Sequence, residues 1–581
     1  MKRPGIPTSF VQGSAGVVCL LAVLCVAWIW GLEPERISAQ ARRPNIVVIA
    51  LDDVGFSDLG AFGSEIATPN INSIAQEGLR YVQFETNAVC SATRASLLTG
   101  ANAQSVHMTA LPSGLKARDD EDQSAYKGEV PSDVEFLSEA LHRSGYATFA
   151  LGKWHLSPQY ETGEDGNNAS FPLQRGFDYF YGFKMGWTDQ YHPQLFEGNK
   201  PIPDPFRDGY LLSEDLVTRA IDQMQSSIAK DPDKPMFLYL AMPVAHAPTQ
   251  APRSYIDKYV ETYQQGWDAI REGRFARQKS IGLIPEDSKL PVREAGDPAW
   301  SSLTEQQQRV YTQYMASYAA FLEYGDEQIG RVLNYLKSSG LDENTIVLLF
   351  SDNGPASETK TGGFRTPYGD RTTLQEIDDH LAEMGGPTTQ PLYPRAWAYP
   401  GATPYRRYKL WPYLGGIRTP MLISWPGHIE DPGGIRDQFT HVVDIAPTLL
   451  EAAGTQFRAE RGGSQQVPLA GKSFLATLAD STAPSARSVQ FFELWGNRAI
   501  RDGKWRALGM HRAGTSFTED QWHLFDTDVD PSEITDLSDV MAEKVKEMQA
   551  LWEQEARKYG GLPQVEAPPF RAASFTDGLE Q

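Results

Sequence analysis

The sequence predicts an α/β fold: a large, mixed, mostly parallel sheet sandwiched by helices, then a small C-terminal antiparallel sheet with a terminal helix. Short apolar runs rich in β-branched residues alternate with segments of helical period, the pattern of parallel strands joined by crossover helices. These runs lack strict polar alternation, as strands covered on both faces should. After about Pro484 the pattern changes to closely spaced short strands separated by turn residues.

Lys2 and Arg3 precede an apolar run over residues 15–30, and Ala39-Gln40-Ala41 places small residues where a signal peptidase cuts. Residues 1–41 are read as a cleavable export signal. An uncleaved anchor is the alternative, because the run is nearly long enough to span a bilayer. The mature protein would be periplasmic or secreted, with no stable membrane span if the signal is removed. Residues 42–484 would form the larger domain and 485–581 the smaller one. Within the first, strands are expected at 45–51, 147–151, 236–241, 345–350 and 421–424. Helices are expected at 132–144, 211–227 and 310–339, the last interrupted near Gly325 or Gly330. Beyond Pro484, strands at 489–494, 497–500 and 504–508 surround an Asp502-Gly503 turn. A strand at 524–526 and a helix at 540–558 follow. Three polar stretches, 119–128, 262–302 and 357–405, read as long loops forming lids or substrate walls.

A formal charge of −21 excludes the nucleic-acid-binding class, which needs basic stripes. An anionic substrate must therefore meet a local positive site against the global field. Of three cysteines, Cys19 and Cys25 fall in the segment expected to be removed, leaving Cys90 alone. A solitary thiol can form neither an intramolecular disulfide nor a four-thiolate zinc site. It is either a small buried apolar group or a reactive centre.

Each expected strand runs directly into polar residues. Asp52-Asp53 follows the first, Lys153-Trp154-His155 the second, His246-Ala247-Pro248 the third and Ser351-Asp352-Asn353-Gly354 the fourth. In open α/β sheets ligands bind beyond the carboxyl ends of the strands, so these groups can converge. Asp52-Asp53 alone suits a turn or helix cap, and Asn353-Gly354 alone a turn. Together, Asp52, Asp53, Asp352 and Asn353 form an all-oxygen set that repels itself unless a hard cation, Ca²⁺ or Mg²⁺, sits between. Arg94, Lys153, His155 and His246, with Lys409 and Arg418 as further candidates, would bring positive charge to a tetrahedral oxyanion.

Cys90-Ser91-Ala92-Thr93-Arg94 with Leu97-Leu98-Thr99-Gly100 resembles the activation signature of the formylglycine-dependent sulfatases. Leu51-Asp52-Asp53-Val54-Gly55, Gly152-Lys153-Trp154-His155, His246-Ala247-Pro248 and Ser351-Asp352-Asn353-Gly354 resemble further family segments, in the family's order. Residues 526–533 look like its C-terminal segment, and 188–193 look most like the bacterial arylsulfatase branch. Many members carry Pro where this chain has Ala92.

The resemblance implies an alkaline-phosphatase-like fold and hydrolysis of aryl or alkyl sulfate esters. It implies that a separate maturation enzyme oxidises Cys90 to formylglycine (3-oxoalanine) on the unfolded chain. The gem-diol of that aldehyde would attack sulfur to give a covalent sulfo-enzyme. Asp52, Asp53, Asp352 and Asn353 would bind Ca²⁺ in preference to Mg²⁺. Arg94 would hold the diol, Lys153 and Lys409 would clamp sulfate, His246 would protonate the leaving oxygen and His155 would assist release. Arg406 and Arg407 compete with Lys409 for its role. Phosphonate or phosphate ester hydrolysis on the same scaffold is an alternative. A non-catalytic exported calcium-binding protein that keeps its thiol is another. Tyr181, Phe183, Trp187 and Tyr191 could wall a substrate pocket or simply pack.

Overall fold

Asn45–Leu51 is the central strand, and its alternate residues enter different cores. Val47, Ile49 and Leu51 pack on one side of the sheet, Ile46, Val48 and Ala50 on the other. This double burial is what the unalternated apolar run encodes. The computed structural model describes Met1 and residues 43–566, apart from 110, 113–125, 164–167, 295, 357–362, 367–368, 372 and 462. Pro44 begins one compact unit. Residues 2–41 of the expected signal lie outside the described residues. No helix among the described residues is long and apolar enough to cross a membrane.

The main sheet has ten strands: β1 (Asn45–Leu51), β2 (Leu79–Tyr81), β3 (Ala147–Lys153), β4 (Tyr179–Phe183), β5 (Phe196–Glu197), β6 (Lys200–Pro201), β7 (Met236–Ala241), β8 (Thr345–Ser351), β9 (Met421–Ser424) and β10 (Ile435–Arg436). Their order is β10-β2-β9-β8-β1-β7-β3-β4-β5-β6. The inner five, β8-β1-β7-β3-β4, are parallel, and antiparallel pairing begins at β9 and β5. The principal helices are α1 (Pro69–Glu77), α2 (Cys90–Thr99), α3 (Leu137–Arg143), α4 (Leu212–Lys230), α5 (Arg253–Tyr263), α6 (Gly266–Ser280), α7 (Glu305–Ser338) and α8 (Ala542–Tyr559).

Helix α7 is continuous, against the expected interruption. Thr304 and Gln307 cap its start reciprocally, with Gln307 N–H donating to Thr304 Oγ1 and Thr304 N–H to Gln307 Oε1. Its glycines serve close approach: a Cβ at Gly325 would meet Val244 Cγ2 at 2.7 Å, and one at Gly330 would meet Asn70 Cγ at 2.4 Å. Helix α3 is shorter than expected because residues 131–134 form a turn, with Val134 N–H bonded to Pro131 O. The Glu139 carboxylate then accepts Phe136 N–H at 2.8 Å and fixes the helix start.

The stretch 262–302 is not loop throughout, since the whole of α6 lies in it and only the part after Ser280 lacks a long element among the described residues. Trp267 and Ile270 face the core, and Arg271 and Arg274 are buried beside them. Arg274 pairs with Asp58 and Glu65, so charged residues occupy inward positions and disguise the apolar period. The described part of 357–405 carries the helices Leu374–Asp379 and Arg395–Gly401 and three short strands. Of 119–128, residues 119–125 lie outside the described residues.

The C-terminal sheet is antiparallel: β11 (Val489–Leu494), β12 (Asn497–Asp502), β13 (Trp505–Gly509) and β14 (Trp522–Asp526). The β12–β13 turn is Gly503-Lys504, one residue later than expected, because Asp502 still pairs with Trp505. Met548, Trp552 and Ala556 of α8 pack on Phe491, Ile500, Ala507 and Leu524.

Candidate active site

Four neighbouring parallel strands end at one edge. Strand β1 delivers Asp52 and Asp53, β8 delivers Asp352 and Asn353, β3 delivers Lys153 with His155 just beyond, and the chain after β7 delivers His246. Backbone bonds extend this pairing past the strand ends. Asp52 N–H donates to Val244 O at 2.7 Å, Ala245 N–H to Asp52 O at 2.7 Å, and Asp352 N–H to Leu51 O at 3.1 Å. The carboxylates therefore stand on fixed backbone.

Cys90 is the first residue of α2, all of which is buried. Its Sγ lies 3.2 Å from His155 Nδ1. Arg94 follows one turn later, where helical geometry returns it to the face of Cys90. Arg94 Nε and Nη2 donate to Asp352 Oδ2 at 3.0 and 2.7 Å, and Nη1 donates to Lys153 O and the Tyr239 hydroxyl, both at 3.1 Å.

Lys153 Nζ bonds both oxygens of Asp52 at 2.9 and 2.8 Å, and Lys409 Nζ bonds both oxygens of Asp53 at 2.7 and 2.8 Å. His246 Nε2 stands 3.5 Å from Asp53 Oδ2. Asn353 Nδ2 donates to Asp53 Oδ1 at 2.6 Å. Asp53 N–H approaches Asp352 Oδ1 at 3.4 Å. All ten expected site residues thus converge. Two buried atoms here, Asn353 Oδ1 and His155 Nε2, have no hydrogen-bond partner among the described residues. Ligand atoms of Asp52, Asp53 and His246 fall within 4.8 Å of one another and could hold a metal ion. An amide oxygen with no donor, beside three carboxylates, fits a hard cation.

A family model described as Sulfatase matches residues 44–455. The chain belongs to the sulfatase family. A second model, N-sulphoglucosamine sulphohydrolase C-terminal, matches residues 407–558. An arylsulfatase of Klebsiella aerogenes is 33% identical over 452 residues, covering 76% of this chain and 93% of the relative. An uncharacterized sulfatase of Schizosaccharomyces pombe is 31% identical over 527 residues, covering 88% and 93%. Among solved structures, Ps i-CgsB in complex with k-i-k-neocarrahexaose has a TM-score of 0.62 at 20% identity, covering 93% of this chain and 98% of the other. BT4656 in complex with D-glucosamine-2-N,6-O-disulfate has a TM-score of 0.58 at 20% identity, covering 90% and 99%. The protein is a sulfuric ester hydrolase.

The electrostatics of this candidate site follow from burial opposed by close charges. Burial pushes the Cys90 thiol up, against the pull of Lys153 and Lys409. Burial, then Lys153 and Arg94, hold His155 well below the usual imidazole range, so its ring is neutral. Burial raises Asp53, yet Lys409, His246 and Lys153 together outweigh it and leave the carboxyl lowered. Asp352 goes the other way, raised by burial and by Asp52 in spite of Arg94.

Arg418 turns to Glu85 rather than to this cluster, with its guanidinium donating to the carboxylate at 2.8 Å. Arg406 and Arg407 both pair with Glu294, at 3.1 and 3.2 Å. Tyr239 was not anticipated, since nothing distinguishes it from other apolar residues of a buried strand. Its hydroxyl on Arg94 gives it a place at the site. Tyr181, Phe183 and Tyr191 are buried packing, whereas Trp187 is exposed.

Proposed function

We propose that this sulfatase cleaves aryl or alkyl sulfate esters with position 90 in the formylglycine form and a calcium ion among its carboxylates. One observation carries the reading. A buried, protonated thiol touches a neutral His155 whose other ring nitrogen has no partner among the described residues, with Arg94 and two lysines beside it. An unmodified thiol so placed is a poor nucleophile, because the thiolate is the reactive form. The hydrate of formylglycine would supply two hydroxyls, one to bond sulfur and one whose collapse to the aldehyde expels sulfate.

The residues divide the remaining work. Asp52, Asp53, Asp352 and Asn353 would hold the cation, with Asn353 Oδ1 supplying the neutral oxygen. Calcium would add a positive charge against which sulfate oxygens and a developing alkoxide are stabilised. Lys153 and Lys409 place ammonium groups on the same edge to bind sulfate oxygens. Arg94, fixed by Asp352 and Tyr239, orients the group at position 90. Neutral His155 accepts a proton there. His246 turns Nδ1 to Ala247 O at 2.6 Å and Nε2 toward Asp53 Oδ2 at 3.5 Å, so Nε2 is the ring nitrogen that would pass a proton to the departing oxygen.

Cys90 is 2% exposed, so a maturation enzyme would have to act before folding. Export in an unfolded state through the segment 1–41 fits that order. N-terminal sequencing of periplasmic or secreted protein should begin near residue 42.

Mass analysis of the peptide containing position 90 tests the mechanism. Conversion of CH₂SH to CHO lowers the mass by about 18 Da, a change off the usual cysteine oxidation series. Finding only thiol in protein that turns over 4-nitrophenyl sulfate at full rate would defeat it. Faster release from an aryl phosphonate than from the matched sulfate would move the preferred substrate to the phosphonate class.

A further inference from the structure

We infer that Trp187 is a specificity-determining residue, an exposed indole that stacks on a ring carrying the sulfate ester. The inference rests on sulfate occupying the space beside His155 and His246. Trp187 is 47% exposed and is the one exposed residue between Tyr179 and Tyr191. Its indole has no ring contact or hydrogen bond among the described residues, whereas Tyr181 bonds Asp215 and Phe183 is buried in β4. Tryptophan pairs a large apolar face with a polar N–H and is enriched among residues that dominate binding contacts.

Its position is fixed from both sides. On the upstream side, β3 and β4 stay paired beyond their ends: Trp154 N–H bonds Phe183 O and His155 N–H bonds Lys184 O, both at 3.0 Å. The chain then crosses the His155 ring at Gly186. A Cβ there would lie 2.9 Å from His155 Cε1 and 3.0 Å from Nε2, the nitrogen lacking a partner. Trp187 follows immediately, its Cα about 3.8 Å from that of Gly186.

On the downstream side, the turn is bolted to the segment after His246. Gln190 N–H donates to Gln250 Oε1 at 2.8 Å, and Gln250 Nε2 donates to Asp189 Oδ2 at 3.1 Å. Asp189 also accepts Gln390 Nε2 at 2.8 Å and the N–H groups of Tyr191 and His192, both at 2.8 Å. Thr188 Oγ1 accepts Gln194 N–H at 3.0 Å. Thr188, Asp189 and Gln190 are all buried. Trp187 is thus held between the residue covering His155 and residues tied four positions past His246. A backbone so tied, presenting a solvated indole one residue from the glycine that covers His155, is preorganised for a flat apolar face. That face is an aromatic ring or the apolar face of a pyranose.

Three sulfate esters test this: 4-nitrophenyl sulfate, galactose 6-sulfate and hexyl sulfate. Trp187→Ala should lower the preference for a ring ester over hexyl sulfate about tenfold, the scale of one desolvated ring stack, and through KM. Trp187→Phe should recover most of it. Loss confined to the nitrophenyl ester assigns an aryl ring, and loss confined to the sugar assigns a pyranose. Equal change on all three esters, or no change, overturns the inference. Calorimetric binding of 4-nitrophenyl sulfate and galactose 6-sulfate to Cys90→Ala, with and without Trp187→Ala, needs no turnover. There, weaker binding of a ring ester without Trp187 supports the inference even if the mechanism at position 90 fails. Binding of both esters that is absent, or indifferent to Trp187, overturns it.

Discussion

Lys409 and Asp53 are 356 positions apart in sequence, yet Lys409 Nζ lies within 2.8 Å of both carboxylate oxygens of Asp53. Neighbouring Arg406 and Arg407 turn to Glu294 instead. Lys409→Ala should lower kcat/KM for a sulfate ester at least about 100-fold, since a lost charge contact to the reacting group costs about 3 kcal/mol. Arg406→Ala, at a partly exposed residue paired with Glu294, should change it less than about threefold. Steady-state kinetics on both variants, with melting curves to confirm folding, decide this. An equal loss in Arg406→Ala would transfer the sulfate contact to that residue.

Calcium should stabilise the folded protein by mass action. At about 100 times its Kd, a ligand that binds only the native state adds about 2.7 kcal/mol. EGTA treatment should therefore lower both Tm and turnover, and added Ca²⁺ should restore them more fully than Mg²⁺. Asp53→Asn should remove the calcium response. Protein shown by metal analysis to be calcium-free, with unaltered Tm and rate, would eliminate the ion from the mechanism.

Glu85 gives a pH-dependent prediction away from the chemistry. Its buried carboxylate meets Arg418 at 2.8 Å, and Arg501 and Arg506 of the C-terminal sheet at 3.0 and 3.4 Å. Burial raises its pKa, but the three guanidinium groups outweigh it and bring the group from 4.5 down to about 2. A lowered folded-state pKa means that the unfolded chain binds the proton more readily. The stabilisation is full above 4.5 and is lost as pH falls toward 2, amounting to about 3 kcal/mol. Glu85→Gln should melt below the wild type at pH 7, and the gap should narrow between pH 4.5 and 3. A gap constant over that range would assign the loss to packing rather than charge.

The central strands and the convergence of the candidate site residues were legible because the same residues encode both. An unalternated apolar run ending in Asp52-Asp53 or Asp352-Asn353 marks a buried strand and the polar end where it meets its neighbours together. The resemblance to sulfatases supplied what spacing could not, the grouping of Cys90 and Lys409 with those ends. Helix α6 was illegible because Arg271 and Arg274 point inward and are paired or stacked there, so a hydrophobicity pattern reads them as surface. Tyr239 was missed because a hydroxyl inside an apolar strand has no sequence signal until its partner, Arg94, is placed. Gly325 misled for a related reason: a helical glycine looks like a break unless the neighbour it admits is known.

That neighbour makes Gly325 testable. A Cβ at Gly325 would approach Val244 Cγ2 and Cγ1 at 2.7 and 2.9 Å, and Val244 O accepts the N–H of Asp52 at 2.7 Å. Alanine should gain about 1 kcal/mol in helix propensity. Overpacking should cost about 1–3 kcal/mol and push on the segment that seats Asp52. Gly325→Ala is thus expected to lower Tm and to lower kcat. Gly273, in α6, is the control, because its Cβ would meet only Arg277 Nη1, at 3.3 Å. Gly273→Ala should raise stability by about 0.5–1 kcal/mol without touching the site. If both variants gain stability and keep their rate, Val244 yields freely, and α7 does not brace the carboxylate edge.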